Sequence, residues 1–130
     1  MRVRTTIMSV AIAVGGLVAA AAPAAAAEPY ACAARHICVW DTADGLGESW
    51  SVMPQWEGGA SLVRSGWNKR ASSIQNNMTS STVYLYSGSD ETCWALLGEF
   101  PAGTGGPLPA AADNNLDSVY WKKRTLDLCP

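Results

Sequence analysis

The chain has one histidine, one phenylalanine and only 15% charged residues. His36 is the sole imidazole, so no histidine-rich metal centre can form. No CxxC pair, HExxH, GxSxG or lysine-terminated phosphate loop occurs, which removes the usual signatures of zinc ribbons, zinc peptidases, serine hydrolases and P-loop enzymes. His36 could serve as a general base only with a nucleophile beside it. Set between Cys32 and Cys38, it reads as an exposed polar residue. The carboxylates Asp41, Asp44, Glu48, Asp90 and Glu91 sit in or beside turns, where acids are expected on conformational grounds. Paired-acid hydrolysis is the enzymatic alternative they leave; the expectation is a non-enzyme. Basic charge is scarce as well. Nine Lys and Arg stand against eleven Asp and Glu, for a net charge of −2, and the densest basic run is Lys122-Lys123-Arg124. Nucleic acid is therefore not an expected partner.

The one long apolar run is Ile7 to Ala22. It follows Arg2 and Arg4 and ends at Pro23 and the small residues Ala24–Ala27. This is the layout of a secretory signal, with cleavage after Ala27, and the Pro and Ala residues suit a cleavage region better than a membrane anchor. Residues 1–27 are thus expected to be removed, and Glu28–Pro130 to form one secreted, extracellular domain with no membrane attachment. All four cysteines, Cys32, Cys38, Cys93 and Cys129, fall in that part. An even count in an exported chain reads as disulfides, with three pairings open. The favoured one joins Cys32 to Cys38 in a short loop and Cys93 to Cys129, tying the C-terminus to the second half.

What is present in quantity is repetition. Asn68-Lys69-Arg70-Ala71-Ser72-Ser73-Ile74 is echoed by Asp113-Asn114-Asn115-Leu116-Asp117-Ser118-Val119, an offset of about 45 residues that marks one supersecondary unit used twice. Each copy is an Asn/Asp-led turn running into Ser and a β-branched residue. Each is preceded by a hairpin pattern. In the first, Ile37–Trp40, an Asp41–Gly45 turn and a return from Gly47 to Val52 place Trp50 and Val52 on one face. In the second, Val83–Tyr86, a Ser87–Asp90 turn and a return from Thr92 to Leu97 repeat the plan. Long connections, 53–67 and 98–112, are expected to be irregular, the second because of its Pro and Gly content. Returning strands are expected at 72–76 and 118–121. Hairpin, connection and returning strand make a Greek key. Two keys, about 37–79 and about 80–122, are expected to pack face to face as an all-β sandwich stapled by disulfides. Of the six tryptophans, Trp40, Trp50, Trp94 and Trp121 are expected in its core; Trp56 and Trp67 lie in loop contexts as contact candidates. Asn77-Met78-Thr79 matches a glycosylation pattern, which means little if the producer is bacterial, as the Ala-rich leader suggests.

An aromatic strand, an Asp/Gly hairpin and then Asn/Asp-x-x-x-Ser-Ser resemble the βγ-crystallin Greek key. The Ala-rich leader, and Cys32 spaced by five residues from Cys38 ahead of an aromatic strand, resemble the secreted actinobacterial metallopeptidase inhibitors that share that fold. The resemblance runs from Cys32 to about Trp121. It implies a peptidase inhibitor with an extracellular metallopeptidase as partner, working as a monomer without a required cofactor. The characterised inhibitor type uses a loop closed by a tight second disulfide. Cys93 and Cys129 are too far apart for that, so no reactive bond is carried over. The contact surface expected instead is the Pro/Gly loop from Phe100 to Leu108, with Phe100, Pro101, Thr104, Pro107 and Leu108.

The crystallin resemblance also implies calcium as a candidate ligand, since its turn, written N/D-N/D-x-x-S/T-S, gathers oxygens for a hard cation. In the first copy Lys69 and Arg70 oppose a cation electrostatically. The second copy offers Asp113, Asn114 and Asp117, with a backbone oxygen near Asp41–Thr42. The plainer reading is that both turns are Asx-type corners. The alternative function is a non-inhibitory secreted module on the same scaffold: calcium-binding, structural or antimicrobial.

Overall fold

A computed structural model describes residues 21–55, 58–88 and 94–123. Among the described residues eight strands form: β1 (Ile37–Trp40), β2 (Ser49–Val52), β3 (Gly59–Ser61), β4 (Ser73–Asn76), β5 (Val83–Ser87), β6 (Ala95–Phe100), β7 (Gly105–Pro107) and β8 (Ser118–Tyr120). One helical turn, α1 (Leu62–Ser65), follows β3. The strands make two four-stranded sheets, ordered β2-β1-β4-β7 and β3-β8-β5-β6. The all-β sandwich of two Greek keys expected from the repeat is the observed fold.

Each sheet combines three strands of one half with the short third strand of the other. Thus β7 joins the first half's sheet by pairing antiparallel with β4, and β3 joins the second by pairing with β8. The two halves are exchanged at their edges, so neither can close its sheet alone.

The repeated motifs occupy equivalent places. Lys69 and Asn114, each second in its copy, both have left-handed backbones, at φ 55° and 53°. The Lys69 N–H donates to the Leu116 carbonyl at 2.9 Å, and the Asn114 N–H to the Ala71 carbonyl at 2.9 Å. The next residues extend the correspondence: Ser72 donates to the end of β1 at Trp40 (2.8 Å), and Asp117 to β5 at Tyr86 (3.0 Å). The motif pair is the near-twofold joint on which the halves meet.

The core is aliphatic. Alternation along β1, β4, β5 and β8 sends Ile37, Val39, Ile74, Val83, Leu85 and Val119 inward, all fully buried, where Leu62 and Leu116 join them. Branched side chains suit such pleated, buried faces. The expectation of a tryptophan-filled core needs correction. Trp50 and Trp121 pack against the cluster from its margin while partly exposed. Trp40 and Trp94 are buried, but in aromatic groups outside it: Trp40 meets Tyr30 edge-on at 5.9 Å, and Trp94 meets Tyr86 and Tyr120 at 6.0 and 5.5 Å. Trp40 and Tyr86 are the neighbours of inward Val39 and Leu85, so strand alternation turns them to the opposite face. Trp67, expected as an exposed contact residue, packs on the core with the Arg70 guanidinium 4.4 Å above its ring. Trp56 lies outside the described residues.

The connections also need correction. They are not wholly irregular, since 53–67 holds β3 and α1 and 98–112 holds β7 and the end of β6. Gly-Ala-Ser and Gly-Gly-Pro carry neither alternation nor β-propensity. Pairing to β8 and β4 makes them strands, and Pro107 is accommodated because β7 is a sheet edge.

A disulfide joins Cys32 to Cys38 with Cα atoms 5.8 Å apart. It fixes the segment before β1 against the outward face of the first sheet. The expected Cys93–Cys129 bond falls outside the described residues, as does most of the leader. Among the described residues no helix is long and apolar enough to cross a membrane.

Candidate functional site

The Pro/Gly turn expected to contact a protease is built around Asn76, the last residue of β4 and fully buried. Its backbone N–H donates to the Thr104 carbonyl at 2.8 Å, and its own carbonyl accepts from Gly103 at 2.8 Å. Its side-chain amide donates to the carbonyls of Ser81 and Phe100, both at 2.8 Å, and its Oδ1 accepts from the Met78 N–H at 3.1 Å. Every polar group of the residue is used, the condition under which a buried amide rigidifies its surroundings. Across the turn, the Thr104 N–H and hydroxyl both donate to the Pro101 carbonyl, at 3.1 and 2.7 Å.

This arrangement divides the five residues expected at that surface. Pro101, Thr104 and Pro107 are exposed. Phe100 is half-buried against the core and Leu108 is buried within it. Three can face a partner directly; the other two anchor the turn.

A second rigid turn joins β1 to β2. Its base is closed by the Asp41 N–H donating to the Glu48 carbonyl at 3.1 Å. Arg70 reinforces the base from the neighbouring motif, 2.6 Å from Glu48 Oε2 and 3.8 Å from Asp41 Oδ2. Inside the loop, the Thr42 hydroxyl donates to Asp44 Oδ1 at 2.6 Å and accepts from the Gly47 N–H at 2.9 Å; the Leu46 N–H donates to the same Asp44 oxygen at 3.1 Å. These hydrogen bonds, with Thr42 first and Leu46 second, hold the Asp44 carboxyl below its usual pKa. The sequence marked this stretch as a turn by its Asp-Gly pair, and the lock that Thr42 and Asp44 add was missed although it is local.

The calcium candidates are engaged within the protein. Asp113 Oδ1 accepts from the Ser72 hydroxyl at 2.6 Å and from the Asn114 amide at 3.1 Å. Asp117, which is buried, accepts the Gly88 N–H at 2.8 Å. The Thr42 carbonyl, near the backbone oxygen expected to assist, accepts from the Ser73 hydroxyl at 2.7 Å. Asp113 thus faces the other half's motif, whereas Asp117 faces its own half's hairpin. Among the described residues no three His, Cys, Asp or Glu side chains converge. A cation would have to displace donors from Ser72 and Gly88 and draw on backbone oxygens. His36, expected to be exposed, is half-buried, with Nδ1 3.0 Å from the Ala34 carbonyl, and Asn77 donates to the Cys32 carbonyl at 2.7 Å.

The described residues form a small double-Greek-key sandwich with surface loops locked by their own hydrogen bonds. The chain belongs to peptidase inhibitor family I36, whose model matches residues 25–95. It is a peptidase inhibitor protein and not an enzyme. Among solved structures it is similar to a beta gamma crystallin from Ciona intestinalis, at 18% identity and TM-score 0.49, covering 67% of this chain and 99% of that one. No match was found among curated proteins.

Proposed function

We propose that the protein is a secreted inhibitor of extracellular metallopeptidases, acting as a monomer by placing a locked surface turn in the enzyme's cleft. The observation that carries this reading is membership of the inhibitor family over the segment holding the Cys32–Cys38 staple and the first Greek key. The metallopeptidase class follows from the resemblance in the leader and the cysteine-to-aromatic spacing. The Ala-rich residues 1–27 supply the route of export. Physically, a turn already held in one conformation loses little entropy on binding, which is what a small inhibitor needs to bind tightly through a limited surface. No cofactor is part of the inhibition. The exposed surface of Pro101, Thr104 and Pro107 meets the rigidity requirement, as does the Asp41–Glu48 hairpin loop.

The test is a progress-curve assay of a thermolysin-type metallopeptidase with the chain purified from a secreting host. Inhibition at micromolar protein is expected, together with an intact mass that begins at Glu28. No slowing discards the metallopeptidase assignment; slowing of a subtilisin-type serine peptidase alone moves the target class. Retention of residues 1–27 on a membrane-bound product overturns secretion.

A further inference from the structure

We propose that the Asp41–Glu48 hairpin loop is the element that enters the partner peptidase, with Leu46 filling an apolar subsite of its cleft. This rests on the inhibitor reading above and names the contact it uses.

A single exposed leucine is ordinary on a protein surface. The setting of Leu46 is not. It is the most exposed large hydrophobic side chain among the described residues, at 51%. It stands between Gly45 and Gly47, so the backbone on either side carries nothing that would hinder entry into a narrow groove. Gly45 is required by the backbone, and Gly47 leaves the Asp41 and Thr42 side chains where they stand. Gly45 is left-handed at φ 71°, and a Cβ there would collide with the Tyr30 ring; a Cβ on Gly47 would collide with the Asp41 carboxylate. The geometry that bares Leu46 is therefore the one the loop must adopt.

The loop is also held from outside. The Tyr30 N–H donates to the Gly45 carbonyl at 3.2 Å and its hydroxyl to the Ala43 carbonyl at 2.6 Å, while its ring packs edge-on against Trp40. Tyr30 lies two residues before Cys32, so the disulfide to β1 secures it. Thr42 and Asp44 fix the loop from within, and Arg70 fixes its base. Preorganisation around one projecting apolar side chain is what lets a small contact supply most of an affinity.

The extent of the family match favours this loop over the turn at Pro101–Thr104. Residues 25–95 include Tyr30, the Cys32–Cys38 pair, the whole of Asp41–Glu48 and Arg70; the second turn lies beyond. The occupant is a peptidase cleft with an aliphatic-binding subsite. No covalent step is involved.

The test compares inhibition of the thermolysin-type and subtilisin-type enzymes by wild type, Leu46→Ala, Leu46→Asp and Thr104→Ala, with a thermal melt of each. The leucine side chain projects outward, so its variants are expected to melt with the wild type. Leu46→Ala is expected to weaken inhibition about 10-fold and Leu46→Asp about 100-fold, with Thr104→Ala within about twofold. A folded Leu46→Asp that inhibits like wild type overturns this proposal and leaves the inhibitor reading standing; loss of inhibition in Thr104→Ala alone does the same and moves the contact to the second turn. Wild-type protein that inhibits neither enzyme overturns both readings.

Discussion

Lys69 and Asn114 sit in the same left-handed conformation and bond across the joint between the halves, Lys69 to Leu116 and Asn114 to Ala71. An asparagine tolerates that conformation; a lysine carries a steric cost. Lys69→Gly is therefore expected to stabilise the protein by about 0.5–1 kcal/mol, the relieved strain exceeding the added freedom of the unfolded chain. Asn114→Val is expected to destabilise by about 1–2 kcal/mol, since a β-branched residue is least at home there. Urea unfolding of both variants checks this, and a loss of stability in Lys69→Gly would show that no strain resides at the joint.

Asn76 makes a stronger case. Replacing it by Ala leaves the Ser81 and Phe100 carbonyls without their donor and the Met78 N–H without its acceptor. Buried groups left unpaired cost about 1–3 kcal/mol each, and with water admitted to the gap the expected loss is about 2–4 kcal/mol in total. Hydrogen exchange at Gly103 should quicken beyond the global change, because its acceptor is the Asn76 carbonyl. Unchanged stability would mean that the turn is not held from β4.

Which parts of this were legible in the sequence follows from where the signal comes from. The strands β1, β2, β4, β5 and β8 stood out because local pattern or the repeat agrees with tertiary role there. The two Ser-bearing turns were found because repetition is visible without knowing the fold. β3 and β7 were hidden, since glycine-rich triplets become strands only when the other half offers them an edge. The tryptophans misled because size was equated with the inter-sheet core, whereas alternation puts Trp40 on the outward face, beneath Tyr30. At the candidate site, the rigid turn after Phe100 was suggested by its prolines, but the lock supplied by Asn76 is a long-range contact. The lock within Asp41–Glu48 is local, and an Asp two residues after Thr and two before Leu46 could have revealed it.

The Cys32–Cys38 bond closes a loop of sequence separation 6. Chain-entropy reasoning for so short a loop gives about 2 kcal/mol. The double variant Cys32→Ser, Cys38→Ser is expected to lose that amount. It is also expected to loosen Tyr30 from Trp40, which tryptophan emission reports as a shift to longer wavelength. A large red shift with little loss of stability would place the effect in the segment before β1 alone; neither change would show that the staple is dispensable to the hairpin loop.

The hydrogen bonds that lower the Asp44 pKa imply a pH dependence of definite sign for the loop. Its pKa in the folded protein is lowered from 3.8, chiefly by the Thr42 hydroxyl and then by the Leu46 N–H. A depressed carboxyl stabilises the fold above its unfolded pKa, and that contribution is lost as pH falls through the lower folded value. The difference in melting temperature between wild type and Asp44→Ala is therefore expected to be constant from neutral pH down to about 5, and to shrink below 3.8 as the carboxylate protonates in both states. Inhibition by the wild type, measured after brief exposure to acid and return to neutral pH, is expected to recover fully, because protonation unlocks one loop and leaves the sandwich and its staple intact. A difference that grows on acidification would reverse the sign of the linkage and show that Asp44 is held as the neutral acid.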